Sequence, residues 1–199
     1  ARVVSRLRNI DEDLAGRVAA GLAIPLPEPA KAARAPVDMK PSDALSIQKQ
    51  AKRTLQGRKV GILFAEGSDK AAINRLKGEI EKAGGVAFLV APKVGGVQVE
   101  GGVLKADGQL AGSPSVLFDA VASILAPEQA AKLAKEGAAG QWFMDAYGHC
   151  KTIAHCKGAQ VLLDKAHVEP DDGVVPIEDF MKVGVTRHWA REPQVRDLA

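Results

Sequence analysis

Residues 57–91 read GRKVGILFAEGSDKAAINRLKGEIEKAGGVAFLVA, and the order of patterns in this stretch decides the fold. Lys59-Val-Gly-Ile-Leu-Phe-Ala65 is a short apolar run bounded by polar residues, which is the length of a buried strand. Glu66-Gly-Ser-Asp69 supplies a turn. From Asp69 to Ala83 the residues Ile73, Leu76, Ile80 and Ala83 fall on one helical face, and Gly84-Gly85 stops that helix. Val86-Ala-Phe-Leu-Val-Ala91 is a second buried strand. Strand, helix and strand within about thirty residues form the βαβ unit of a parallel sheet.

The same alternation continues downstream. A Gly-rich stretch, 92–112, carries the short runs Val97–Val99 and Val103-Leu104, predicting small strands or a hairpin. Phe118–Leu125 is a further buried strand, followed by helices over about 127–136 and 139–149. Thr152-Ile-Ala154 is a short strand leading into a helix near 158–165. Val174-Val175 is extended, and a final helix is predicted near 177–189. The pattern predicts an α/β domain with an open, mostly parallel sheet and helices on both faces.

Upstream of residue 57 the chain changes character. Pro25, Pro27, Pro29, Pro36 and Pro41 are five of the 11 prolines. Proline fixes φ and donates no hydrogen bond, so 25–56 reads as an extended linker. Residues 1–24 form a helical head in which Leu14, Val18 and Leu22 recur every four residues, with Ile10 four before them. Asp11 precedes the run as an N-cap, and Glu12 and Asp13 suit the positive end of the helix dipole. One such helix cannot bury its own stripe and needs another surface to pack on. The expected division is therefore 1–24, 25–56 and 57–199.

Composition bounds the function. The 199 residues are 46% hydrophobic and 26% charged, as in an ordinary globular protein, and give room for one core with an appendage. The net charge of +3 sits in residues 1–57, which hold ten basic and six acidic residues spread along the chain. That distribution reads as a solvated strap and not as a nucleic-acid patch. Aromatics are only 4%, too few for a base-stacking surface. No run of eighteen apolar residues is present, so no membrane partner is expected. The first eighteen residues are too polar for a signal peptide, and two cysteines cannot build a disulfide scaffold, which points to a reducing, cytoplasmic setting.

Cys156 is the candidate nucleophile. It follows a strand and precedes a helix, where a sharp turn can present a reactive group at the carboxyl edge of a sheet. A helix N-terminus and Lys157 would favour its thiolate; the competing assignment is a small buried cysteine at a strand end. His149-Cys150 and His155-Cys156 place four metal-ligand types within eight residues. Adjacent residues on a helix or strand point in different directions, so no metal site is expected from them. His167 and His188 stand alone and read as packing or surface residues. No dinucleotide fingerprint is present: after the first strand the turn Glu66–Asp69 has one glycine where the motif needs three.

Several motifs together carry a resemblance. The head, Arg2–Leu7 with Asp11–Ala15 and Arg17–Leu22, resembles the last helical segment of haem catalases. The linker, Gly57–Leu63, Phe118–Val121, Asp145–Ile153 and Phe180–Trp189, in that order, resemble the extra carboxyl-terminal domain of large-subunit catalases of the hydroperoxidase II type. That domain is similar to the flavodoxin-like, class I glutamine-amidotransferase-like superfamily, whose enzymes carry a cysteine in a pattern like Ala-x-Cys-His-Gly. Ala154-His-Cys156-Lys157-Gly158 matches it, so the resemblance puts Cys156 at the nucleophile position. It also puts Lys157 where a histidine belongs and Ala72 where an acid belongs. The Gly-Gly that should support an oxyanion falls near Ala126-Pro127. Nucleophilic catalysis needs an activated nucleophile and a stabilised oxyanion, so the resemblance implies the fold without the hydrolase chemistry.

The resemblance also implies a parent that dismutes hydrogen peroxide at a haem. Its proximal tyrosine would sit in an Arg-x-x-x-Tyr-like setting, and the only tyrosine, Tyr147, lies in Asp-Ala-Tyr-Gly-His. No cofactor is therefore expected in this chain, the haem belonging to the parent. The implied role is a non-catalytic accessory domain that packs on the haem domain and sister subunits of a homotetramer, stabilises it and shapes the access route for peroxide. Two alternatives follow from the residues. The apolar stripe Ile10, Leu14, Val18 and Leu22 would let the free domain hold unfolded client proteins, and Cys156 would give residual hydrolase, glyoxalase or redox activity.

Overall fold

The computed structural model describes residues 1–195. The chain forms two compact units, Ala1–Ala51 and Lys52–Ala199.

The first unit is a helix pair. Helix α1 (Arg2–Leu7) and helix α2 (Glu12–Gly21) meet across a turn at residues 8–10, and the Asp11 side chain accepts the Leu14 N–H at 2.9 Å. Val4, Ala15 and Ala19 are the buried contact, with Leu7, Val18 and Ile24 partly buried around them. Apart from Val18, the apolar stripe read from the sequence is left uncovered by this helix pairing. Ile10, Leu14 and Leu22 are 77%, 41% and 59% exposed, because two alanines four residues apart let the helices approach at a neighbouring face. The proline-rich segment then doubles back. Arg8 donates to the Pro27 carbonyl at 2.8 Å, Asn9 donates to that of Ala30 at 2.8 Å, and the Ala30 N–H donates to Ser5. Beyond Pro41 the chain makes a 3-10 turn at Asp43–Leu45 and a single turn, α3 (Ile47–Gln50).

The second unit is a six-stranded sheet. Its strands are β1 (Lys59–Phe64), β2 (Val86–Ala91), β5 (Gly108–Gln109), β6 (Ala120–Ile124), β7 (Ile153–His155) and β8 (Val174–Pro176). Their order is β5-β2-β1-β6-β7-β8, and every pairing is parallel. Between β2 and β5 lies an antiparallel hairpin, β3 (Val97–Val99) and β4 (Gly102–Leu104). Apart from the two-residue edge strand β5, the order is the flavodoxin-like one, and it reverses between β1 and β6. Alternation along each strand feeds two cores. Val60, Ile62, Phe64, Ala120 and Ala122 face helices α4 (Lys70–Lys82) and α8 (Phe180–Val183). Leu63, Val121 and Ile153 face α5 (Pro127–Leu133), α6 (Gly137–Gly148) and α7 (Gln160–Lys165). The predicted α/β architecture with helices on both faces is what forms.

Two boundaries need correction. The strand expected at Phe118–Leu125 begins at Ala120, because Ser115–Leu117 is a 3-10 turn. Phe118 instead lies over Gly61, where a Cβ would stand 2.5 Å from its ring, and the Asp119 carboxylate accepts the Lys59 N–H. The final helix expected near 177–189 ends at Val183. There the Phe180 ring occupies the space a Cβ on Gly184 would need, and the chain leaves through an irregular stretch and a 3-10 turn at Trp189–Arg191 into α9 (Glu192–Val195).

Candidate functional site

Parallel sheets bind ligands beyond the carboxyl ends of their strands, where the strand order reverses. At that place lies an open cleft of about 460 Å³. Its walls come from the turn after β1 (Gly67, Asp69), the first turns of α4 (Ala72, Arg75), the end of β6 (Ile124–Pro127) and the turn after β7 (Cys156–Gly158), with Glu100 and Ile177-Glu178 completing the rim. Cys156, Lys157, Ala72, Ala126 and Pro127, picked out separately in the sequence, are therefore brought to one cleft.

The polar atoms of Cys156 are engaged by neighbouring backbone. Cys156 has φ −80° and ψ 159°, ordinary extended backbone, where a nucleophile elbow is a strained turn. The Cys156 N–H donates to Ser123 at 3.0 Å. Its Sγ accepts the Leu125 N–H at 3.2 Å and donates to the Leu125 carbonyl at 3.3 Å. The thiol thus joins the ends of β6 and β7 instead of facing a base. Lys157 is exposed, and His155 turns its Nδ1 toward the Cys156 carbonyl at 3.3 Å. Ala72 contributes no carboxylate. The nearest acid on that helix, Asp69, accepts the N–H groups of Ala71 and Ala72 as the N-cap. Pro127 opens α5 and has no N–H for an oxyanion. Gly158 is required for the close approach: a Cβ there would lie 2.3 Å from the Leu125 carbonyl oxygen.

Arg75, Glu100 and Glu178 on the rim are not among the residues read from the sequence. Arg75 was accessible in principle, one turn past Ala72 on the same helix. Glu100 arrives through the hairpin, whose Gln98 carbonyl accepts the Gly67 N–H and whose Glu100 N–H donates to Ser68. Those contacts leave no local sequence signal.

The opposite, amino edge of the sheet carries a second polar cluster. The Arg191 side chain is fully buried and pairs with Asp171 through two bonds of 2.6 and 2.8 Å. It also donates to the carbonyls of Lys151 (2.9 Å) and Tyr147 (3.3 Å) and stacks 4.2 Å from the Tyr147 ring. Lys151 is buried and donates to the Ser115 carbonyl at 2.7 Å. Burial, helped by the charge of Arg187, lowers its pKa to about 8 against the pull of Asp119 and Asp145. His188 meets the Thr152 hydroxyl at 2.9 Å, and burial and then Arg191 push its pKa down.

The histidine–cysteine pairs do not converge. Cys150 and Cys156 stand at opposite ends of β7, and among the described residues no group of three or more His, Cys, Asp or Glu is placed to hold a metal ion. Nor does Tyr147 fit the place of a haem ligand. The Tyr147 hydroxyl donates to Gln194 at 3.2 Å, its ring is covered by Arg191, and burial raises its pKa, away from the phenolate an iron would bind. Among the described residues no helix is long and apolar enough to cross a membrane.

Comparison with known proteins gives a concordant result. Residues 56–188 match the model of the C-terminal domain found in long catalases. Catalase C of Rhizobium meliloti (strain 1021) is 37% identical over 98% of this chain and 29% of its own length. Catalase HPII of Pseudomonas aeruginosa is 38% identical over 85% of this chain and 24% of its own length. Catalase-B of Dictyostelium discoideum is 28% identical over 96% and 29%. The chain thus spans less than a third of the length of these relatives.

Proposed function

Because the chain belongs to the family of C-terminal domains found in long catalases, we propose that it is the accessory domain of a large haem catalase and does no chemistry itself. In this reading hydrogen peroxide is dismuted to water and oxygen by residues of a longer parent. The domain stabilises that parent as a cytoplasmic homotetramer. The observation that carries the proposal is the alignment of 98% of this chain with only 29% of a catalase. The non-catalytic part rests on Cys156, whose thiol is bonded to both backbone polar groups of Leu125. Ile10, Leu14 and Leu22 are among the exposed apolar groups that would dock on the rest of the parent.

The test uses the full-length enzyme. Cys156→Ala should leave the peroxide rate within about twofold, since truncating an interaction outside the reacting centre does not raise the barrier. Removal of residues 57–199 should lower the melting temperature and the fraction of tetramer surviving dilution. A Cys156→Ala enzyme with peroxide decomposition reduced a hundredfold or more, or a truncated enzyme as stable and as tetrameric as the intact one, would overturn the reading. The same exposed residues support a second reading, capture of unfolding proteins by the free domain. It fails if a thermally unfolding client scatters light as fast with this chain present as with an inert protein.

A further inference from the structure

Residues 186–195 cross the end of α6 and the connection into β7, and their contacts are almost entirely polar. Arg187 donates to the His149 carbonyl at 2.7 Å, the His188 N–H to that of Cys150 at 2.9 Å, and Arg191 to those of Tyr147 and Lys151. The Thr152 hydroxyl bonds to the carbonyl of Thr186 and to His188. The His149, Cys150 and Lys151 carbonyls follow the last turn of α6, beyond its intrahelical donors, so the segment acts as a long C-cap supplied from elsewhere in the chain. Apolar anchorage is slight: Val195 is partly buried against the core, while Trp189 and Ala190 are exposed. Gly173 makes room for it, since a Cβ there would lie 2.3 Å from the His188 ring.

We propose that residues 186–195 are a polar strap, locked by the Arg191–Asp171 ion pair, that opens as a unit on acidification while the sheet stays folded, and that opening uncovers Cys150. Segments held by few apolar contacts open at lower free energy than the core that carries them. The groups facing the lock are Tyr147, Cys150 and Lys151 from the end of α6, Glu169, Asp171 and Asp172 from the loop before β8, and Arg187, His188 and Glu192 on the strap. Burial opposes the Asp171 carboxylate, but bonds from Arg191 and the Gly173 N–H outweigh it and hold its pKa below the ordinary 3.8. The His188 pKa is also lowered, from 6.5. Both shifts mean that the closed strap binds fewer protons than the open one. The closed form is therefore favoured at neutral pH and loses ground as the pH falls below the ordinary histidine value and through the folded pKa of Asp171.

The experiment reads the accessibility of Cys150 in a Cys156→Ser background, using dithiodipyridine, a thiol reagent that still reacts in acid. At neutral pH, Arg191→Gln should raise the Cys150 labelling rate at least about tenfold, the scale of losing hydrogen bonds to a charged group. The far-UV spectrum should stay native. The unsubstituted strap should label faster as the pH falls below the ordinary histidine value and then through the folded pKa of Asp171, which lies below 3.8. Native-state hydrogen exchange gives a second readout in the wild-type chain: amides of 186–195 should exchange with a smaller denaturant dependence than those of β1 and β6. Unchanged Cys150 labelling in a folded Arg191→Gln protein, or strap amides that exchange only together with the sheet, would overturn the proposal, and the exchange result decides it if the variant does not fold.

Discussion

The two edges of the sheet differ in what their polar groups do. At the carboxyl edge, where this topology places ligands, the groups are exposed or occupied by local backbone: Asp69 by its helix cap, Cys156 by Leu125. At the amino edge, Arg191, Asp171, Lys151, Thr152 and His188 form a buried network spanning 40 residues of sequence. The cleft thus lies at one edge of the sheet, while the most deeply buried polar groups lie at the other and hold the chain together. The buried Arg191 charge is tolerated at the amino edge because it is paired with Asp171 and bonded to two carbonyls.

The contrast breaks first at glycine. Gly158→Val pushes a side chain into the Leu125 carbonyl, a backbone atom that cannot swing aside, and should cost about 3 kcal/mol through the displaced β6–β7 junction. A urea midpoint equal to that of the wild type would mean that the carboxyl edge is looser than it looks. The next effect belongs to the amino edge. Lys151 titrates near 8 when folded and at 10.5 otherwise, so its contribution to stability is full above pH 10.5 and is lost as the pH falls through about 8. Stability of the wild type relative to Lys151→Met should therefore rise by about 2–3 kcal/mol between those values. Taking the difference removes the opposite contributions of Tyr147 and Cys150, whose pKa values burial raises. Parallel curves for the two proteins would show that Lys151 is solvated.

The strap sets the next step down. If it opens separately, Arg191→Gln cannot destabilise the whole unit by more than the strap's own opening free energy, since the chain escapes the damage by opening. A global loss of about 1–2 kcal/mol is expected, well below the 3–5 kcal/mol for breaking a buried pair in a rigid core. A loss in the larger range would make the amino edge part of the cooperative core.

The sheet was legible because its signals are local. Residues 57–91 hold a complete βαβ unit, and the period-two and helical patterns switch where the elements do. The position of Cys156 was also legible from its strand-to-turn setting. Its bonding was not, because that follows from the β6–β7 register, in which Ser123 pairs with His155 and leaves Leu125 beside the thiol. The Arg191–Asp171 pair joins residues twenty apart with no periodicity between them. In the first unit Ile10, Leu14 and Leu22 stay exposed, as a stripe that needs another surface does, while the helix contact is made by Ala15 and Ala19, which carry no strong hydrophobic signal.

The smallest effect sharpens the carboxyl edge. Cys156→Ala removes one weak S–H donor and one weak acceptor. The Leu125 N–H and carbonyl border an open cleft, where water can replace both bonds. The expected loss is therefore about 1 kcal/mol or less, the net worth of an ordinary hydrogen bond. Cys156→Ser keeps a donor and an acceptor but shortens the reach, so it should fall between wild type and Cys156→Ala in thermal unfolding. A nucleophile would give another order. Reactive sites are held at a stability cost, and removing their strained or charged groups commonly stabilises the fold. A Cys156→Ala protein that melts higher than the wild type would thus mean that the thiol is held ready for a reaction and is not simply fastening two strand ends.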